Sequence, residues 1–403
     1  MSVLWELPLD DEAKYWVDIA NNLNRQYFVP LAAELDRCQR YPWENVERLA
    51  ASGLSGLMIP KEYGGAGASL ATGVAVMAEL ARGCASTSAI FAIHAMGAGA
   101  LTIAGSPAQR ERYFADIIMG NAVSFALTER GAGSDPAALT ATGTPEGGQW
   151  RLRGEKIFIG NGGASKHYVA FVRTDPEAGR RGISAFMTSL DDEGTGVDKY
   201  ADRMGLRGSR TSNLKLDTLV GEDRLLGELG GGLRIAMATL NSGRVMVAAQ
   251  ALGLATAAFE HASTEAVHRS TFGRPIIENQ GISFRLADVA TRLTAARALT
   301  WQAAHAGADS RQTRALASMA KLFASEVAHQ AVDLALQVYG GDGYCKPNPV
   351  ERIYRDQRIV EIFEGSSEIQ RLTLGRAIAE AVAAHVYEPL ERASTAYGHE
   401  ANW

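Results

Sequence analysis

Phe125-Ala126-Leu127-Thr128-Glu129-Arg130-Gly131-Ala132-Gly133-Ser134-Asp135 marks the point where the chain changes character. A β-forming run ends at Leu127-Thr128 and breaks into a turn of small residues. Small residues let backbone N–H groups approach a ligand, and glycines followed by Ser134 and Asp135 can form an anion-binding nest suited to a phosphate. Thr128, at the strand end, can bond the edge of a heteroaromatic ring. An ordinary β-turn with an Asx-type cap reads the same residues equally well.

Working outward, the segment before this strand reads as helices joined by glycine-rich links. Glu12 to Tyr27, Trp43 to Ala51, Leu70 to Arg82 and Thr87 to Ala104 carry apolar residues at three- and four-residue spacing, as a buried helical face requires. After it come short β-rich runs broken by Gly, Asp, Asn and Pro: Val123–Leu127, Trp150–Ile159, Tyr168–Arg173, Ile183–Leu190 and Leu214–Val220. From Gly232 onward long periodic segments return, namely Leu233–His261, Ile282–Ala306, Arg311–Tyr339 and Ser367–His385. The expected fold is α+β and mainly α, in three domains: helical over 1–121, an antiparallel β-domain over 122–231, and a four-helix bundle over 232–403.

A chain of 403 residues with 46% hydrophobic content can bury a large core. Its net charge of −5, with basic residues scattered, points away from nucleic acid and from anionic membranes as partners. Cys38, Cys84 and Cys345 stand far apart and form neither a disulfide framework nor a CxxC metal pair. The eight histidines show no ligand spacing, so no metal is assigned. The first eleven residues have neither a basic n-region nor an apolar h-region, and no run reaches about 18 uninterrupted apolar residues, so the expected location is cytoplasmic. GxxxxGK[ST], GxGxxG after a strand, GxSxG and HExxH are all absent.

Four further stretches carry candidate chemistry. Gly154 to Ala164 is an alternating strand ending in Asn161-Gly162, with Phe158 placed where an aromatic could stack or simply fill a core. Arg269-Ser270-Thr271-Phe272-Gly273-Arg274-Pro275, followed by Asn279-Gln280, offers a guanidinium fork for a phosphate. Gln337-Val338-Tyr339-Gly340-Gly341-Asp342-Gly343 closes a helix, and its glycines could serve only as caps. Arg355-Asp356 leads into Ile362-Phe363-Glu364-Gly365-Ser366-Ser367-Glu368, which holds a carboxylate between bulky apolar residues and a glycine turn. Such flanks suit a desolvated carboxyl with a raised pKa, a candidate base.

Taken in order, these pieces resemble the acyl-CoA dehydrogenase family of flavoproteins over about residues 12–390. The matching runs are Ile59 to Gly65, Thr-Glu-x-Gly-Ala-Gly-Ser-Asp at 128–135, Phe-Ile-x-Asn-Gly at 158–162, Phe-Gly-Arg at 272–274, Gly-Gly-x-Gly at 340–343 and Glu-Gly-Ser-Ser at 364–367. The resemblance implies FAD held between the β-domain and the C-terminal helices. Its near contacts fall on Leu127, Thr128, Gly133, Ser134, Phe158, Ile159 and Gly160, with Ser366 and Glu368 beside the cofactor. Arg269, Ser270, Thr271, Phe272, Gln280, Gln337, Gly340 and Gly341 match positions that mainly serve the FAD of a neighbouring subunit, which implies a dimer and more often a tetramer.

The same resemblance gives Glu364 the role of removing the α-proton of an acyl thioester while the β-hydrogen leaves as hydride to flavin N5, producing the trans-2-enoyl thioester. Ser134, Asn241, Arg244, Gly365 and Arg376 match substrate contacts, and the helix bearing Phe91, His94, Ala95 and Met96 matches the acyl end of the pocket. Some relatives place the base where this chain has Gly243, which cannot serve. The implied electron acceptor is an electron-transfer flavoprotein. Three departures stand out: Gly160 where Thr or Ser is usual, Arg130 for Pro, and Glu368 for Gln. A carrier-protein-linked dehydrogenase of a biosynthetic pathway, a flavin monooxygenase or oxidase on the same fold, and a non-enzymatic flavin scaffold remain the alternatives.

Overall fold

The computed structural model describes residues 8–306 and 311–384. Six helices come first: α1 Asp11–Leu23, α2 Val29–Cys38, α3 Trp43–Ala51, α4 Leu70–Gly83, α5 Ala85–Ala104 and α6 Pro107–Ile118. The helix expected to run from Glu12 to Tyr27 loosens into a π-helical turn at Asn24–Phe28 and continues as α2. α6 lies outside the expected set, although Ser106 and Gln109 form a complete capping box at its start.

Eight strands follow: β1 Val123–Ala126, β2 Thr142–Glu146, β3 Gln149–Gly160, β4 His167–Arg173, β5 Ile183–Ser189, β6 Thr195–Tyr200, β7 Thr211–Val220 and β8 Leu225–Leu226. They form one sheet in the order β6-β7-β3-β2-β4-β5-β8, with β1 against β4. The sheet is mainly antiparallel. It departs from that pattern at β1, which runs parallel to β4, and at a single β2–β4 pairing. The register of β3 against β7 shifts between Lys156 and Ile159, a bulge that turns Phe158 outward.

The last part begins with α7, Gly232–His268, whose 37 residues extend beyond the expected end at His261. A two-strand hairpin, β9 Ser270–Thr271 and β10 Arg274–Pro275, leads to α8 Gln280–Ala304 and α9 Arg311–Tyr339. Two shorter helices, α10 Gly341–Tyr344 and α11 Pro349–Gln357, precede α12 Ser367–Ala383. The end of the expected Ser367–His385 helix falls outside the described residues.

α7 holds the parts together. Its first turns join α5, α6 and the sheet in one core through Leu233, Ile235 and Ala236, while Val245 to Ala266 pack with α4, α8 and α9 in another. At Gly253 a Cβ would stand 2.2 Å from the Ala78 carbonyl oxygen, so only glycine permits this α4–α7 approach. α5 and α7 are long and apolar enough to cross a membrane, but 61% and 78% of their apolar windows are buried within the fold.

Arg355 ties α11 to α2 by a two-pronged contact of 2.7 Å and 2.7 Å with the Asp36 carboxylate, and also binds Glu351. The neighbouring Asp356 is buried and accepts the Leu206 backbone N–H. Burial lifts its carboxyl to about 6. Both residues of the Arg355-Asp356 pair therefore act as ties between segments.

Candidate active site

Glu364 lies in the turn between α11 and α12. Its φ of 56° and that of Gly365 at 89° are both left-handed, a conformation a non-glycine residue holds only where its surroundings compel it. The φ at Gly365 favours glycine, and a Cβ there would also push against Gln370 Nε2 at 2.8 Å. Two donors reach the Gly365 carbonyl oxygen: Gln370 Nε2 at 2.7 Å and Lys321 Nζ, from α9, at 2.8 Å. Gln370 also reaches the Glu364 carbonyl at 3.4 Å.

The Glu364 carboxyl points at α7. A Cβ on Gly243 would stand 3.2 Å from Oε2, with Met96 Sδ 3.9 Å from the same point. Oε2 is buried without a hydrogen-bond partner among the described residues. Burial raises the Glu364 carboxyl to about 7, against the opposing pull of Arg244 and then Lys321. A carboxyl poised there exchanges a proton readily at neutral pH. Gly243 and the Glu364 carboxyl thus share one spot in space.

Arg244, on α7, is buried and donates Nη1 to Asn241 Oδ1 at 3.0 Å. Burial pulls its guanidinium below the usual arginine range, with Glu364 working the other way. Arg376 sits exposed on α12, about 15 Å along that helix from Ser366. Ser366 is the N-cap of α12 without a side-chain capping bond. The exposed Glu368 is held below the usual carboxylate range, first by a hydrogen bond from the Ser366 side chain.

One turn back along α5 from Met96, Ile93 meets the end of β3. Ile157 N–H donates to the Thr128 carbonyl at 2.8 Å, and Ser124 Oγ donates to the Gly160 carbonyl at 2.6 Å. The strand end carrying Leu127 and Thr128 is thereby locked beside Phe158, Ile159 and Gly160. A Cβ on Gly160 would stand 2.8 Å from the Ile93 side chain of α5, so Ile93 fills the space a side chain at 160 would take. Ile93 and Met96 are neighbours on one flank of α5, facing Gly160 and Gly243 respectively. His94 is two residues from Met96, about 200° around the helix. It is buried with both ring nitrogens unpartnered, and burial lowers it to about 4.

These residues fit a flat aromatic cofactor carrying phosphates. Phe158 is 67% exposed in a left-handed conformation beside the strand end, and the turn that follows leaves open space around Gly131 and Gly133. Ser134 is exposed at its far end. Beneath this turn Glu129 accepts the backbone N–H groups of Thr140 and Ala141, the Thr140 hydroxyl, and Lys156 Nζ at 2.7 Å.

Arg269, Ser270, Thr271, Phe272, Gln280, Gln337, Gly340 and Gly341 gather at the opposite end of the bundle, and all eight are exposed. Arg269 Nη1 lies 3.3 Å from Glu265 and 3.1 Å from Asp342. Phe272, fully exposed at the hairpin tip, has a φ of 52°. From Gly243 to the end of α7 the rise is roughly 40 Å. The two groups therefore lie toward opposite ends of α7.

Lys321, Gln370, Ile93 and the Glu129–Lys156 pair were not among the expected site residues. Lys321 carried a signal, because it shares a helical face with Ala317, Ala324 and Ala328, all of them buried.

Three family models match in order: the acyl-CoA dehydrogenase N-terminal domain over residues 10–121, the middle domain over 124–219 and the C-terminal domain over 230–379. The chain belongs to the acyl-CoA dehydrogenase family and is an oxidoreductase. It is 42% identical to an acyl-CoA dehydrogenase of Bacillus subtilis, over 87% of this chain and 94% of that one. It is 41% identical to the mitochondrial short-chain specific acyl-CoA dehydrogenase of Bos taurus, over 86% and 84%. Among solved structures, the butyryl-CoA dehydrogenase of Megasphaera elsdenii superimposes with a TM-score of 0.90 at 34% identity, over 93% of this chain and all of that one.

Proposed function

We propose that this protein is an FAD-dependent α,β-dehydrogenase of acyl-CoA thioesters with Glu364 as the base. The observation that carries the reading is the placement of the Glu364 carboxyl, buried, unpartnered at Oε2 and poised near pH 7, on the same flank of α5 as Gly160. Leu127, Thr128, Gly133, Ser134, Phe158, Ile159 and Gly160 would hold the FAD, which supplies the acceptor for the hydride leaving the β-carbon. Glu364 Oε2 takes the proton from the α-carbon. The backbone N–H of Glu364 can donate to the thioester carbonyl, whose developing negative charge must be stabilised for so weak an acid to ionise. Met96 and Ile93 keep water from the reacting carbons, and Arg244 with Asn241 bounds the site on α7.

The exposed group around Arg269 and Phe272 serves a second copy of the chain, giving a dimer and, by pairing of dimers, a tetramer. The substrate reading leans to short acyl chains, because relatives at 41% and 34% identity are named short-chain specific acyl-CoA dehydrogenase and butyryl-CoA dehydrogenase. An electron-transfer flavoprotein is the acceptor. Anaerobic titration with short, long, branched and carrier-protein-linked acyl thioesters tests this: flavin absorbance bleaches with short acyl-CoA esters. No bleaching with any thioester, or stoichiometric hydrogen peroxide in air, defeats it.

The pH profile follows from the raised carboxyl. Only the ionised form accepts a proton, so the bleaching rate rises as pH increases through about 7 and levels off above it. At pH 6 about a tenth of the plateau rate is expected. Stopped-flow measurements from pH 5.5 to 9 check this, and a flat profile contradicts it.

A further inference from the structure

Lys321 is a lysine in an unusual position. Its side chain has no exposure, and among the described residues its one hydrogen bond is the 2.8 Å donation to the Gly365 carbonyl, with no carboxylate within ion-pair distance. Leaving a buried ammonium without a direct counter-ion is costly, and general core packing would be served better by Leu or Met. The carbonyl it binds belongs to the second of two consecutive left-handed residues, of which the first, Glu364, gains nothing from that conformation by itself. Gln370 fills the remaining acceptor site of the same oxygen. The turn is thus fixed from α9 and α12 at once, while the carboxyl it carries reaches α7.

We propose that Lys321 is a positioning residue for Glu364: its ammonium pins the Glu364–Gly365 turn through the Gly365 carbonyl, aims the carboxyl at Gly243, and favours the carboxylate form. This rests on the reading of Glu364 as the base. The charged groups acting on that carboxyl are Arg244 from α7 and Lys321 from α9, and Lys321 in turn faces Glu361 from the turn after α11 and Glu368 from α12. Glu361 is already engaged by Arg358 and Gln357, and the exposed Glu368 by Ser366. Arg244 and Lys321 are therefore the two cations that oppose the effect of burial, and Lys321 alone also grips the turn. The lysine itself is pulled down to about 8, first by burial, so it is mainly charged at pH 7.

Two variants of the FAD-loaded enzyme separate pinning from charge. Lys321→Gln keeps a donor and loses the charge; Lys321→Met loses both. The protonation midpoint of Glu364 is read from its infrared carboxylic-acid band, assigned by the band's loss in Glu364→Gln, so this measurement needs no turnover. Both variants are expected to move the midpoint from about 7 to about 8. Above that midpoint Lys321→Met loses about 10- to 100-fold in kcat with KM little changed, as expected for a misaimed base, and Lys321→Gln, which keeps a donor, loses less. An unmoved midpoint together with wild-type kcat in folded Lys321→Met overturns the proposal. If that variant does not fold, an unmoved midpoint in Lys321→Gln does so. A wild type that no thioester bleaches would defeat the functional reading, yet leave the infrared result to judge Lys321.

Discussion

Glu364→Gln is expected to fold, bind FAD and bind acyl thioester as the wild type does, and to lose about 10²- to 10⁴-fold in the rate of flavin bleaching. The substitution preserves shape and the left-handed turn, because both are set by the backbone, by Gly365 and by the donors on the Gly365 carbonyl. What it removes is the basic oxygen beside Gly243. An amide in that position cannot take a proton from carbon, and among the described residues no other carboxylate is placed to substitute: Glu361 is held by Arg358, and Glu368 is exposed on α12. Loss should appear in kcat with little change in KM, since the side chain acts on the proton and not on the thioester's hold. Stopped-flow bleaching with a short acyl-CoA, alongside equilibrium binding of an unreactive analogue, measures both. A rate within a few-fold of the wild type would remove Glu364 from the chemistry.

How much of this was legible in the sequence depends on whether a residue's role is local. α3 spans the expected 43–51, and α4 begins as expected at Leu70, because each carries its own apolar stripe. β2 and β6 were missed: both are largely exposed, so neither has a buried face to write an alternating pattern. α11 is strongly two-sided and has Asn348 as its cap and a proline at its start, but its nine residues are too short for periodicity to stand out. In the site, Glu364 was visible because its apolar neighbours in sequence are also its neighbours in space. Lys321 was not, since the carbonyl it holds lies 44 residues away, and Ile93 filling the space beside Gly160 joins two segments that no local pattern connects.

The largest stability effect belongs to a pair distant from Glu364. Lys156→Met is expected to destabilise the protein by about 3–5 kcal/mol at pH 7, the usual loss when one member of a buried ion pair is deleted. Lys156 has no exposure and Glu129 only 6%, and their atoms are 2.7 Å apart. Burial acts against the charge on Glu129, but Lys156 and the Thr140 donors outweigh it and hold the carboxyl below its ordinary value. Burial likewise lowers the Lys156 ammonium, with Glu129 pulling it back. Without the lysine, burial dominates and the Glu129 carboxyl rises. The variant's deficit should therefore shrink as pH falls and Glu129 becomes protonated. The double variant Glu129→Gln/Lys156→Met should lose less than the sum of the two singles, because it leaves no unpaired charge. Denaturant melts at pH 5 and pH 7 measure all three. The same variant should also release FAD more readily, because Lys156 donates to the Leu127 carbonyl at 3.3 Å and Glu129 anchors Thr140 and Ala141 below the glycine turn. If Lys156→Met matches the wild type in both stability and flavin retention, the pair is not what holds that turn in shape.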